Sequence, residues 1–287
     1  MVTSARACIV AAFALTAWLP ATLPSPSAFA QGPPPSSATP SVVLSTDAER
    51  EAFLRSARVI RERRASSGVT GTIRATLSDG VVTHDASIQT IDQAKPVFQG
   101  NQGTELNFKD SWRFNLAAYK IDRLLEIGMI PSTVQRRHRC DDGSFTWWVD
   151  DVLMDETERH RTRAQVPDTE GWNQQMWITR MFDQLIANVD RNLGNLLIDR
   201  SWNIWMIDHS RAFRLNADLR APGDLSKIER GLLARLRSLD LASLERVTGD
   251  YLTARERETL LARRDRIVEH FDKVGASGTF ERRLRCC

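Results

Sequence analysis

Residues 111–128 form one amphipathic helical segment set between two stretches of alternating, β-branched sequence. That order restricts the chain to a mixed fold in which a helix packs beside an antiparallel sheet. In the helix, Phe114, Ala117, Ala118, Ile121, Leu124 and Leu125 recur at helical spacing, and Gly128 stands where a left-handed C-cap belongs. Ahead of it, residues 71–77 and 81–91 are rich in Thr, Val and Ile. Ser78, Asp79 and Gly80 between them supply a tight turn, so the pair reads as a hairpin. Beyond the helix, strands are predicted at 132–137 and 144–153, split by a turn at Asp141, Asp142 and Gly143. Residues 93–103 read as a loop. Further upstream, a helix is predicted over 47–65, with Ser45 as N-cap and Phe53, Leu54, Ala57 and Ile60 on one face.

The second half of the chain is helical by pattern. After a charged connector, residues 172–187 place Trp177, Met181, Leu185 and Ile186 near one face. Two short apolar runs, 196–198 and 204–207, are split by Asp199, Arg200 and Ser201 and resemble a small hairpin. Residues 225–271 are rich in Leu and Arg. Within them, Arg255 to Arg266 has Glu256 and Glu258 interleaved and reads as a solvated helix face. The expected organisation is an α+β chain of two lobes: a small β-rich N-lobe with its leading helix, sheet and helix over 46–155, a mainly helical C-lobe over 156–275, and a tail over 276–287.

The first thirty residues read as a secretory leader. Arg6 precedes an apolar run from Ala7 to Leu19, and Ala28-Phe29-Ala30 satisfies the small-x-small rule for cleavage before Gln31. The run is shorter than the ~20 residues a membrane span needs, and Pro20 and Pro24 follow it. Residues 31–45, rich in Pro, Ser and Thr, read as a disordered linker. The expected protein is therefore exported, periplasmic or secreted, with no membrane span after cleavage. Formal charge is +3, or +2 without Arg6, which excludes a typical nucleic-acid binder. Cys140, Cys286 and Cys287 lack zinc-ligand spacing.

The chemistry concentrates in Val189 to Ile198 and Met206 to Ser210. Asp190 is followed five positions later by Asn195, and thirteen residues further a short hairpin delivers Asp208. Protein kinases use this spacing: a catalytic-loop Asp beside the acceptor hydroxyl, an Asn five residues on that binds metal, and a second metal-binding Asp after a hairpin. Phosphoryl transfer needs hard oxygen ligands for Mg²⁺ and a carboxylate near the attacking oxygen, which explains the residue types. Each residue taken alone also fits a turn or cap.

The Asp190-Arg191-Asn192 start resembles the Asp-Arg-His of phosphoinositide kinases and of the secretory-pathway kinases that phosphorylate casein-like proteins. The run from Asn115 to Leu125, followed by Met129-Ile130-Pro131, looks like the helix of those secretory kinases, with its alanine pair and Asp-Arg-Leu/Ile-Leu. Ile207-Asp208, followed by Arg211-Ala212-Phe213, looks like their metal-binding segment. The resemblance covers residues 86–213 and implies a two-lobed kinase-like fold in an exported bacterial member of this kind. It implies ATP with Mg²⁺ or Mn²⁺ as cofactors, a nucleotide and a hydroxyl-bearing protein, lipid or sugar as partners, Asp190 as the catalytic base, and Asn195 and Asp208 as metal ligands.

Two positions depart from the pattern. Gln89 falls where the resemblance calls for a nucleotide-binding Lys, and Asn115 where it calls for the Glu that pairs with it. Neither supplies positive charge. Lys95, Lys109 and Glu105 are the nearby candidates to stand in, and Asp151, after the Trp147-Trp148 strand, is the candidate at the adenine-side hinge. Two functions follow: an atypical kinase transferring phosphate from ATP to a hydroxyl, or a pseudokinase that binds nucleotide and regulates. A chance match in a plain helical protein is the third.

Overall fold

Capping chemistry sets the first element of the computed structural model, which describes residues 43–64, 72–100 and 103–282. Thr46 and Glu49 form a reciprocal capping box that starts helix α1 at Asp47–Ser56. The helix is shorter than its sequence pattern suggests. Ala57 turns to extended backbone, and Arg58–Arg64 becomes strand β1, leaving Ile60 half exposed. The expected leader and all but the last residues of the expected linker lie outside the described residues. Among the described residues no helix is long and apolar enough to cross a membrane.

Strands β2 (Ile73–Ser78) and β3 (Thr83–Gln89) form the expected hairpin. The presumed loop after it is instead a two-stranded antiparallel ribbon, β4 (Asp92–Gly100) with β5 (Gly103–Ser111). Its polar composition hid it, because both strands are largely exposed and carry no clean alternation. Helix α2 (Trp112–Leu124) follows directly, capped by the Ser111 hydroxyl accepting from Arg113 N. Then come β6 (Thr133–His138) and β7 (Asp141–Trp147). The turn between them is Arg139-Cys140, with Arg139 at φ 56, and Asp141 to Gly143 already belong to the strand. Gly143 is required for close approach rather than for turning: a Cβ there would lie 2.6 Å from the Gln89 carbonyl oxygen of β3. The five-stranded antiparallel sheet runs β1-β2-β3-β7-β6.

The remainder is mainly helical. Strand β8 (Val152–Asp155) leads into α3 (Glu156–Thr162) and α4 (Thr169–Leu185), and β9 (Leu196–Asp199) and β10 (Ile204–Met206) complete a three-stranded sheet ordered β10-β9-β8. After β11 (Ile228–Glu229) come α5 (Arg230–Ser238), α6 (Leu241–Thr248) and α7 (Ala254–Val274). Strand β12 (Thr279–Phe280) then returns parallel to β11. The Arg-rich α7 is not merely a solvated face. Arg257 and Arg263 are buried, and Arg263 donates to the carbonyls of Leu185, Arg214 and Asn216. Buried backbone acceptors need donors, and a guanidinium reaches three at once.

Two cores result. Phe53 and Leu54 of α1 pack on Ala75, Leu77, Ala86, Ile88, Phe145 and Trp147 of the sheet. The apolar face of α2 joins the other core, with Ile178, Met181 and Phe182 of α4, Leu244 of α6 and Leu260 of α7. Helix α2 thus couples the halves. Its Asp122-Arg123 pair builds the corner behind it: Asp122 is fully buried and accepts from Arg123, Gly128 N at 3.1 Å and Met129 N at 2.9 Å, while Arg123 also reaches Asp47 and the Ile130 carbonyl. Asp122→Ala strands these donors without an acceptor in a buried site. The expected cost is about 3 kcal/mol, read as a lower urea midpoint at unchanged slope; a loss under about 1 kcal/mol would mean the corner holds without it.

Candidate functional site

The site grows from the end of β3 and the first turn of α2. Gln89 and Asn115 are both buried, and Asn115 Nδ2 donates to Gln89 Oε1 at 2.5 Å. Strand and helix are therefore joined at the two positions where the sequence pattern calls for a charged pair. The bond here is between two neutral amides. Gln89 Nε2 in turn donates to Thr72 Oγ1 at 3.0 Å and, at a long 3.5 Å, to Asp208 Oδ1, while Asn115 Oδ1 accepts from His209 N at 2.8 Å. One chain of contacts thus runs from the sheet through the helix to the segment after β10. Asp208 sits at φ 53, a left-handed conformation uncommon outside glycine and best tolerated by Asn and Asp.

Arg191 fixes the loop that carries Asp190 and Asn195. It donates to Asp183 from Nε at 2.9 Å and from Nη2 at 3.1 Å, to the carbonyls of Asn195 at 3.1 Å and Ile207 at 2.8 Å, and to His209 Nε2 at 2.9 Å. Ile207 N also donates to the Asn195 carbonyl at 3.1 Å. The backbone at Asn195 is thereby tied to the residue before Asp208. His209 must accept through Nε2, because a guanidinium has no lone pair to offer. Burial and the Arg191 charge together hold it neutral, far below the ordinary imidazole range.

A cleft of about 1130 Å³ opens beside this framework, lined by Phe108 and Asp110 of β5, by Asp190, and by Arg211 and Arg214. Arg211 pairs with Glu105 at 2.5 Å and stands 3.6 Å from Asp190, and Arg214 also pairs with Glu105. Both guanidinium groups lie over the Phe108 ring. Burial pushes the Asp110 carboxyl above the ordinary carboxylate range. The Ser210 hydroxyl works against that, and the negative charges of Asp208 and Asp190 work with it.

The sequence candidates divide accordingly. Gln89 contacts Asp208, and Glu105 joins Asp190 through Arg211. Lys109 lies on the side of β5 away from Phe108 and Asp110 and pairs with Glu256 of α7 at 2.5 Å, so it is committed elsewhere. Lys95 lies over the rings of Phe98 and Phe108 at the cleft edge. Asp151, at φ 52, accepts from Arg200 N through its carbonyl, and its exposed side chain takes part in none of these bonds. Arg211 and Arg214 were missed as site cations because they follow the motif by three and six residues and look like surface charge. Asp110 was missed because residues 93–103 read as a loop, which hid the ribbon that delivers it.

Several solved structures resemble this fold. One is hydra Fam20 determined with sugar, at TM-score 0.63 and 15% identity over 84% of this chain and 95% of that one. The chain shares the fold of this structure. A Golgi casein kinase structure with Mn/ADP bound agrees at TM-score 0.57 and 13% identity, covering 83% of this chain and 80% of that one. A second casein kinase structure gives 0.53 and 13%, over 79% and 75%. No protein-family model matches the chain, and no curated protein matches by sequence. The expected α+β, two-lobed kinase-like architecture is present, with α1 packed on the five-stranded sheet and α2 in the core of the helical part.

The Arg191 network carries the consequence for stability. Arg191→Met leaves the Asp183 carboxylate without its two charge-assisted bonds and two loop carbonyls without donors, with an expected cost of about 3 kcal/mol in chemical unfolding. Neutral His209 adds a pH signature. Unfolding frees it to bind a proton near pH 6.5, so its contribution is complete above that pH and is lost as pH falls toward its lower folded value. Melting temperature should therefore drop less between pH 7.5 and 5.5 in His209→Gln than in wild type, and an equal drop in both would refute the assignment.

Proposed function

We propose that this chain is an exported, kinase-like phosphotransferase that binds ATP with Mg²⁺ or Mn²⁺ and transfers phosphate to a hydroxyl of a protein, lipid or sugar. The observation that carries this reading is the contact chain from Gln89 through Asn115 to the Asp208-His209 segment, with Arg191 tying the Asn195 backbone to the same segment. The expected ligands are hard oxygen donors. Asp208 offers a carboxylate whose Oδ1 takes only the long Gln89 bond, and Asn195 offers an amide oxygen, so the donor set fits Mg²⁺ or Mn²⁺. Among the described residues no three His, Cys, Asp or Glu side chains form a ready cage. That suits an ion completed by phosphate oxygens. A casein kinase of the same fold was solved with Mn/ADP, which favours the same pairing here.

In this reading Asp190 accepts the hydroxyl proton, Asn195 and Asp208 hold the metal, and Arg211, beside Asp190, supplies the positive charge that Gln89 cannot. Lys95 is the second source of charge, and Asp151 is the hinge-side residue. The amide pair Gln89–Asn115 favours the second reading, a pseudokinase that binds nucleotide without turning it over.

Calorimetry of the mature protein with ATP and Mn²⁺, followed by an assay of phosphate transfer, tests both. Wild type binds; Asp208→Asn keeps the fold and loses at least about tenfold in metal-dependent affinity, roughly 1.4 kcal/mol. Unchanged affinity in that variant would remove Asp208 from the metal site. Binding without transfer under any divalent metal selects the pseudokinase, and Gln89→Lys then tests whether this one position silences it.

A further inference from the structure

The cleft is lined by charges of both signs. Glu105, Asp110 and Asp190 line it together with Arg211, Arg214, Arg220 and Arg255, Asp208 lies close enough to Asp110 to act on its charge, and Arg211 and Arg214 are both engaged by Glu105. Asp190 is half exposed and solvated. Asp110 is only 4% exposed, and its Oδ1 has no hydrogen-bond partner. A buried carboxylate oxygen with nothing to accept is costly, because it has lost water without gaining a donor. Asp110 is the penultimate residue of β5, next to the α2 cap Ser111, and Ser111 N donates to the Ser210 carbonyl at 2.9 Å, so it is held against the segment that carries Asp208. The Ser210 hydroxyl occupies part of its acceptor capacity. Helix α2 adds no charge at this wall, since the side chain it presents is the neutral Asn115.

We propose that Asp110 is a second carboxylate of the cation site, a direct oxygen ligand for a divalent metal held jointly with Asp208. The proposal rests on the metal-dependent reading above and extends it to a residue on the inserted β4–β5 ribbon. It assigns the ribbon a purpose. By delivering Asp110, the ribbon supplies from β5 the negative charge that α2 does not, and it makes metal affinity depend on the ribbon being seated. Oxygen donors from two carboxylates, an amide and phosphate match a hard divalent ion rather than zinc.

The test uses the full mature chain with Mn²⁺, with and without ADP, read by loss of the free-ion electron paramagnetic resonance signal and by the Mn²⁺-induced rise in melting temperature. Asp110→Asn and Asp110→Ser weaken Mn²⁺ binding by about tenfold or more and abolish most of the thermal rise. Binding of ADP without metal stays unchanged, and the melting temperature without metal does not fall, because a buried charge has been removed. Mn²⁺ binding unchanged in both variants but lost in Asp208→Asn overturns the role of Asp110 and leaves the proposed function intact. Absence of Mn²⁺ binding in wild type, with or without ADP, overturns both. Failure of both Asp110 variants to fold assigns the residue to structure and overturns the proposal.

Discussion

Arg191 spends all five of its N–H donors within the protein, two on the Asp183 carboxylate, two on the carbonyls of Asn195 and Ile207, and one on His209. No other side chain type could do this, since the task needs a planar, permanently charged fork with no acceptor of its own. The consequence is geometric. Two chain segments thirteen residues apart, one carrying Asn195 and the other Asp208, are held at one distance by a single group rooted in α4 through Asp183. The identity of His209 follows from it, as does its neutrality, because a protonated ring could not accept that bond.

A second buried guanidinium supports the same region from behind. Arg263 of α7 holds the carbonyl at the end of α4 and the two carbonyls of Arg214 and Asn216, so the loop that brings Arg211 and Arg214 to the cleft is tethered to the longest helix. Burial pulls its pKa down to about 10, which still leaves it charged at neutral pH. The helical half therefore lines the cleft with cations, while sheet and α2 are joined beside it through a neutral pair. That asymmetry is the main physical departure from a lysine–glutamate arrangement: Gln89 and Asn115 keep sheet and helix in register but give no field to attract phosphate.

Much of this was legible in the sequence. The amphipathic pattern of α2, the hairpin at Ser78 to Gly80 and the apolar runs of β9 and β10 each announce themselves through periodicity and turn chemistry. The Asp190, Asn195 and Asp208 spacing singled out two segments that the structure ties together through Arg191, since a short hairpin brings its two ends together. The strand at Arg58–Arg64 was read as helix because its charges mask the alternation, and the β4–β5 ribbon was read as loop because neither of its strands is half-buried in the usual manner.

By itself the sequence determined which elements exist wherever burial imposes a period, and which polar residues are spaced for metal and phosphate. Tertiary structure alone decided which charges are free to act. Lys109 looked available and is consumed by Glu256, Arg211 and Arg214 were not marked as site cations and line the cleft with Asp190, and Asp110, to which the pattern gave no role, is buried with an unsatisfied oxygen. The reason is that the effect of a charge depends on what lies within a few ångströms of it and on how much water remains, and neither is local in sequence.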